Sequence, residues 1–578
     1  MPGSPEKITG SYNIYPFTKL ADGIIFKGYK SVAEYICQYE TIIVDGYQGV
    51  FFEPLIETLT SELTAKGTQV NVVDFSRFLK PESQISSLIE PYLGGDDPLF
   101  GRRAEIDLSG FFETDKLPEV NGGRNCVNLI YGTGSALCGW EGLLVYIDLP
   151  KNELQYRARA GSITNLGASE AQDIKMMYKR FYFVDWVVLN RHKQIIADKI
   201  DVLIDGQNPD NLVWIRGNDF REGLRMISRN VFRVRPWFEP GPWGGQWIKN
   251  RIPGLNRDAV NYAWSFELIV PENGLILESS GILLEFSFDF MMFLNSGNVL
   301  GKHSDRYGSV FPIRFDFLDT FDGGNLSVQC HPHLEYIREN FGEEITQEEA
   351  YYILDTKDDA RCYLGFREGI NPEEFRQALI KSRDCNEEFS VDNFVLSRST
   401  AKHDFYLIPP GTIHGSGRNN VVLEISTTPY IFTFKMYDWL RADLDGRPRA
   451  LNIERAMDNL NFDRQGKTVD DELVSLPVLL EENSDWQLYE LPTHAGHSYK
   501  VLRYHFISRI NISTNDTCQV LNLVQGTSIS LRTMNGMVRT FHYAETFVVP
   551  AAAKSYTLLN QSDKTAIVVI AFLKDELV

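Results

Sequence analysis

Along the first 230 or so residues the apolar positions switch between two periods. Glu40-Thr41-Ile42-Ile43-Val44-Asp45-Gly46 is a short continuous apolar run closed by glycine, as in a strand buried on both faces. Leu55, Ile56, Leu59 and Leu63 then recur at helical spacing and predict a helix over residues 53–66. Further apolar runs at 69–74, 127–132 and 142–148 predict more strands. Strands alternating with helices and ending at Asp or Gly predict a parallel sheet with covering helices, an α/β domain over residues 1–230.

The pattern then changes. Residues 236–245 are dense in Pro, Gly and Trp, as at an irregular domain entry. From 263 to 318 the runs are short and β-like, at 263–270 and 281–290, and helical patterns follow at 332–341, 372–381 and 453–460. The last hundred residues return to short strands, at 500–507, 518–524, 528–532, 544–549 and 565–572. Such spacing predicts sandwiches or barrels. The expected chain is multidomain: α/β to residue 230, an all-β barrel with a helical insertion over 231–470, and a small C-terminal β-barrel over 471–578.

Composition narrows the function classes. The 578 residues carry 57 Lys and Arg against 77 Asp and Glu, a net charge of −20. That balance argues against non-specific binding to nucleic acid or to anionic membranes, which needs clustered cations. Seven scattered cysteines, with no CxxC pair, indicate neither a disulfide framework nor a Cys-type zinc knuckle. Residues 1–7 lack a basic then apolar leader pattern, and the apolar runs at 282–294 and 566–573 are interrupted or too short for a bilayer span. The expected compartment is the cytoplasm and the expected partner a small molecule, with neither nucleic acid nor membrane. The oligomeric state is not legible in the sequence.

Candidate chemistry gathers in the middle of the chain. In Leu326-Ser327-Val328-Gln329-Cys330-His331-Pro332, Gln329 and His331 are two apart and share a face if the segment is a strand. Glu349 opens another β-like run, and His414 follows the Pro409-Pro410-Gly411 turn. Two imidazoles, a carboxylate and an amide oxygen suit Zn²⁺ or a similar divalent ion. Spacing alone leaves a second reading open, polar groups satisfied inside a barrel.

Several runs resemble the type I mannose-6-phosphate isomerases, in that family's order: 311–319, 326–332, 349–354, 363–366, 410–414, 422–425 and 436–441. The resemblance spans about residues 235–460, and a weaker one to the family's C-terminal barrel covers 491–578. It implies a cupin-type barrel and one zinc or similar divalent ion per chain, held by Gln329, His331, Glu349 and His414. It further implies a substrate-binding Ser327 near the sugar phosphate, and interconversion of mannose 6-phosphate with fructose 6-phosphate. Two positions depart from the family. Lys435 stands where the family has arginine, which keeps the charge and loses the bidentate fork. Gln347 stands where it has a lysine, and an amide carries no charge and is no base. The stretch before Lys435 also has one extra residue. Lys435 and Glu424 are the candidate catalytic residues. For Lys435 a solvated strand lysine, and for Glu424 a structural hydrogen-bonding role, stay open. The alternative function is a non-catalytic metal- or sugar-binding regulatory cupin.

The segment 42–63 resembles P-loop uridine and nucleoside kinases, as do 136–149 and Tyr156-Arg157-Ala158-Arg159-Ala160-Gly161. However, Gly46-Tyr47-Gln48-Gly49-Val50-Phe51-Phe52-Glu53-Pro54 lacks the lysine and the Ser or Thr of a Walker A loop. The expectation is a degenerate kinase-like domain inert in phosphoryl transfer, with Arg157 or Arg159 available to some other anion.

Overall fold

The computed structural model describes residues 11–117 and 126–575, and it is multidomain and mostly β. The chain forms two compact units. One comprises Pro16–Ser228 with Pro271–Ser296; the other comprises 11–15, Arg229–Val270 and 297–575.

In the first unit, strands β1 (Ile25–Lys27), β2 (Thr41–Gly46), β3 (Gln69–Asp74), β4 (Cys126–Tyr131), β5 (Leu143–Asp148), β6 (Val202–Asp205) and β7 (Val213–Arg216) form one sheet. Its order is β1-β7-β6-β5-β2-β4-β3, with β3, β4, β2, β5 and β6 parallel and β7 and β1 antiparallel at one side. The chain runs from β2 out to β3, back to β4 beside β2, and then to β5 on the other flank. The direction of winding therefore reverses around β2, where open α/β sheets leave a crevice at their carboxyl ends. Helix Phe52–Ala65 buries Leu55, Ile56, Leu59 and Leu63 against Ile42, Val44, Leu129 and Val145. Truncating Leu59 to Ala in such a core costs about 2–5 kcal/mol. A second, three-stranded sheet pairs Thr18–Lys19 with the hairpin Gly274–Ser279 and Ile282–Ser287.

The β-like run expected over 281–290 is corrected here. The strand ends at Ser287, and a helix, Asp289–Leu300, begins two residues later, kinked at Asn295. Phe288, Phe290, Met291 and Met292 are all buried, so the segment lacks the one-sided stripe that distinguishes a surface helix. Phe290 meets Tyr146 edge-on at 5.8 Å, and Phe220 meets Phe286 and Phe290 the same way.

In the second unit the strands are β8 (Trp237–Glu239), β9 (Trp264–Leu268), β10 (Ile313–Asp319), β11 (Val328–Cys330), β12 (Glu348–Thr356) and β13 (Arg361–Phe366). They continue with β14 (Val395–Ser399), β15 (Phe405–Ile408), β16 (His414–Ser416), β17 (Asn420–Thr427), β18 (Phe434–Tyr437) and β19 (Val474–Ser475). They form two antiparallel sheets, β19-β15-β12-β17-β10-β9-β8 and β14-β13-β16-β11-β18. Leu318, Tyr351, Ile353, Ile408 and Val422 of the larger sheet share a core with Cys362 and Leu364 of the smaller. The helical insertion Pro372–Cys385 is capped by Asn371, whose side chain accepts from the N–H groups of Glu373 and Glu374. A further pair of antiparallel sheets, six- and four-stranded, encloses Phe506, Leu521, Ile529, Phe547 and Val568.

Candidate metal centre

Register places the predicted residues. On the smaller sheet Gln329 of β11 pairs with His414 of β16 on one side and with Lys435 of β18 on the other, and directly paired residues share a face. His414 pairs in turn with Leu364, which lies in the core between the sheets, so the row Lys435–Gln329–His414–Leu364 faces inward. On the larger sheet Glu349 and Tyr351 lie two apart on the inward face of β12. Tyr351 pairs with Glu424 of β17, and Glu424 with Asp316 of β10.

His331, Glu349 and His414 converge, with one ligand atom from each within 4.8 Å of the others, and all three are buried. His331 Nε2 lies 2.5 Å from Glu349 Oε2, and His414 Nε2 lies 3.7 Å from Glu349 Oε1. Each imidazole is fixed from behind. His331 Nδ1 is 2.9 Å from the carbonyl of Phe432, and His414 Nδ1 is 2.9 Å from that of Thr412. A carbonyl only accepts, so each Nδ1 carries a proton and each Nε2 is turned toward the carboxylate. His331 Nε2 and Glu349 Oε1 are buried without a hydrogen-bond partner of their own. Gln329 completes the group: its amide nitrogen is 3.3 Å from His414 Nε2, and its oxygen accepts from Ser327 Oγ at 3.0 Å.

The turn that delivers His414 depends on Gly411, at φ +80°. A side chain there would press on the carbonyl of Asn459 at 2.5 Å and on His333 at 2.7 Å. Gln347 lies behind the carboxylate. Its amide donates to Glu349 Oε2 at 3.3 Å and accepts from the N–H of Phe432 at 3.0 Å. Phe432 thus contacts both His331 and Gln347 through its main chain, in the same stretch that carries the extra residue.

The electrostatics divide the acids. Burial, reinforced by His331, pushes His414 down to about 4 against a partial offset from Glu349, so its ring is neutral near pH 7. Burial alone would raise Glu349, but His331 and His414 outweigh it and hold the carboxyl below its usual range. Glu424 is pushed well above the ordinary range by burial, then by Asp316 and Glu349; Asp316 rises by burial and by Glu349. One carboxylate is therefore kept ionised beside the imidazoles, and two acids nearby are disposed to hold protons.

Asp316 and Tyr351 were given no role by the sequence. The available signal was a charge between Phe315 and Phe317 in an otherwise apolar strand, a residue type seldom buried unless it is paired or functional. Lys435, half-buried, is placed beside Gln329 by register.

In the first unit, three amides at and after the end of β2 are engaged. Gly46 N–H donates to Asp45 Oδ1 at 2.6 Å, Tyr47 N–H to Ile147 O and Val50 N–H to Tyr47 O. Arg157 is committed as well, to Glu153 and to the carbonyls of Gly49, Gly206 and Gln207, which removes it as a free anion ligand.

A family model described as a domain of unknown function (DUF8485) matches residues 28–229. The Bacillus subtilis (strain 168) protein named "Probable mannose-6-phosphate isomerase GmuF" is 36% identical over 152 residues, 26% of this chain and 44% of that protein. The mannose-6-phosphate isomerase of Streptococcus mutans serotype c is 28% identical over 224 residues, 38% of this chain and 64% of the relative. ManA of B. subtilis, a mannose-6-phosphate isomerase, is 25% identical over 234 residues, 40% of this chain and 68% of its own. All three relatives carry the name mannose-6-phosphate isomerase, the first as a probable one. The chain spans 44% and 64% of the first two relatives' lengths. Among solved structures, the mannose 6-phosphate isomerase from B. subtilis aligns with a TM-score of 0.47 and 18% identity, over 59% of this chain and 99% of that one.

Proposed function

We propose that the second unit is a metal-dependent aldose–ketose isomerase for a phosphorylated sugar, with mannose 6-phosphate as the leading substrate. The observation that carries this reading is the convergence of two Nδ1-anchored imidazoles on one buried carboxylate. That is how metal-ligating histidines are oriented, with the second nitrogen tied to a carbonyl. The donor set fits a borderline divalent ion such as Zn²⁺, because His331 Nε2 and Glu349 Oε1 are buried acceptors with no donor of their own. His331, Glu349, His414 and Gln329 would hold it. Gln329 joins once its amide turns over, giving Oε1 to the centre and its NH₂ to Ser327 Oγ, since a hydroxyl accepts as well as it donates. When bound, the cation supplies Lewis-acid polarisation of the sugar oxygens.

The rest of the chemistry belongs to the side chains. Isomerisation moves a proton between C1 and C2, which requires a group that takes it up and returns it. Glu424, raised toward neutrality and paired across the strands with Asp316, is suited to that. Lys435 supplies a cation beside Gln329 for the developing oxyanion, and Ser327 a hydroxyl near the distal phosphate. Elemental analysis of the purified chain should find about one equivalent of metal, and a coupled assay should find chelator-sensitive turnover of mannose 6-phosphate. Full turnover by metal-free protein would refute the reading.

Gln347 favours a second reading. Its amide is engaged with Glu349 and Phe432, and it offers the site neither charge nor base. On this reading the unit is a metal- or sugar-binding regulatory module, and the same assay would show ligand-induced thermal stabilisation without turnover. For the first unit we propose a kinase-like fold inert toward Mg-ATP. Among the described residues no helix is long and apolar enough to cross a membrane; we propose the cytoplasm as the compartment.

A further inference from the structure

At the crest of the first unit's parallel sheet, beside the point where its winding reverses, two lysines are buried together. Lys151 follows β5 by three residues and begins the helix Lys151–Arg159; Lys193 comes from the helix Trp186–Ile196. Each is 1% exposed. Both ammonium groups lie over the ring of Tyr47, at 5.2 and 5.4 Å from its centroid, and Lys193 also lies 4.1 Å from that of Phe290. Two cations this close, away from water, require compensation. Asp148, at the end of β5, supplies half of it, 2.7 Å from Lys193 Nζ. The other half arrives from far along the chain. Asp289 Oδ2 lies 2.5 Å from Lys151 Nζ and 3.9 Å from Lys193 Nζ, so one carboxylate oxygen serves both lysines.

Asp289 belongs to a segment, Pro271–Ser296, that both precedes and follows stretches of the second unit in sequence. Other residues of the segment meet the same crest. Glu272 accepts from Gln155, Glu285 accepts from Gln207 and donates its N–H to Asp205, and Ser287 donates its N–H and hydroxyl to Asp148. The segment occupies the carboxyl end of a parallel sheet, where folds of this type take their ligands.

We propose that Lys151 and Lys193 form a seat for a phosphate-type oxyanion, and that the chain fills this seat with its own carboxylate, Asp289. The seat is distinct from a glycine-loop cradle: its cations come from a helix start and from a second helix, Trp186–Ile196. Removing the Asp289 charge leaves one net positive charge buried, which a tetrahedral oxyanion of similar size neutralises while meeting both ammonium groups.

The test uses the full chain with Asp289→Asn, titrated calorimetrically with inorganic pyrophosphate and with inorganic phosphate at constant ionic strength. The expected result is saturable one-to-one binding at least tenfold tighter than in the wild type, abolished by adding Lys193→Met. Thermal melts should show the variant stabilised by phosphate more than by chloride, and Asp289→Ala, which leaves more room, should behave alike. The proposal is overturned if both folded variants bind no tighter than wild type or gain equally from both salts. It is equally overturned if both variants are unfolded and phosphate restores neither.

Discussion

His331 and His414 act as they do because each has one nitrogen engaged. Replacing either by alanine leaves Glu349 facing a buried cavity with one anchored imidazole. If the second unit binds metal as proposed, the expected result is a drop from about one equivalent to a trace by elemental analysis. Gln347→Ala tests a subtler role. It removes the amide that holds Glu349 and bonds Phe432, so metal affinity should fall about 10- to 100-fold, the usual cost of losing such a supporting bond. The folded state should be little affected, because the Phe432 N–H also reaches the carbonyl of Tyr430. Unchanged affinity in a chelator competition would show Gln347 to be a bystander. At this scale the sequence was informative where a residue sits inside a run of recognisable wording, as Gln329, His331, Glu349 and His414 do. It was silent on Asp316, because a carboxyl acquires its meaning from what lies across the strand, and that pairing with Glu424 appears only when β10 and β17 are in register.

Among the elements, the hairpin and helix over 274–300 were the hardest to read. A strand followed at once by a buried helix presents one apolar run, and neither period stands out until tertiary packing separates them. Amphipathic stretches such as the helix Phe52–Ala65, and the parallel strands beside it, were legible within a residue or two at their ends. The hairpin also carries a pH dependence. Asp205, at the end of β6, accepts the N–H of Glu285, and burial, with Glu285 adding to it, pushes its carboxyl up to about 7 from 3.8. The folded state thus keeps a proton that the unfolded chain releases near pH 4. The stability from that proton is fully present below pH 4 and is lost as pH rises through 7, on the order of 4 kcal/mol across the window. The first unit should therefore unfold at lower denaturant at pH 8 than at pH 5. In Asp205→Asn that slope should flatten, because the amide oxygen still accepts and carries no charge; identical slopes in the two proteins would rule out Asp205 as the cause.

For the whole molecule, the sequence pattern changes near residue 236, whereas the first unit's main stretch ends at Ser228 and the unit also takes in a segment that begins at Pro271. No composition shift announces this, since Pro271–Ser296 is as apolar as the strands around it and its polar contacts come from scattered single residues, among them Glu272, Ser279, Ser280, Glu285, Ser287, Asp289 and Asn295. The consequence is a prediction about autonomy. A fragment ending at Ser228 would keep Lys151 and Lys193 in the core with Asp148 as the counter-charge left among the described residues, and it would lose Phe286 and Phe290 from against Phe220 and Tyr146. Breaking a buried ion pair by removing one partner costs about 3–5 kcal/mol, and each lost aromatic side chain costs a similar amount. A domain's whole stability is about 5–15 kcal/mol, so these losses together are enough to unfold the fragment. Residues 16–228 produced alone should therefore show a weak or non-cooperative melt by circular dichroism. A synthetic peptide of residues 271–296 added in trans should restore a cooperative transition, and the same peptide with Asp289→Asn should do so less well. A fragment that melts cooperatively without the peptide would show instead that the segment is an accessory to a unit already able to fold.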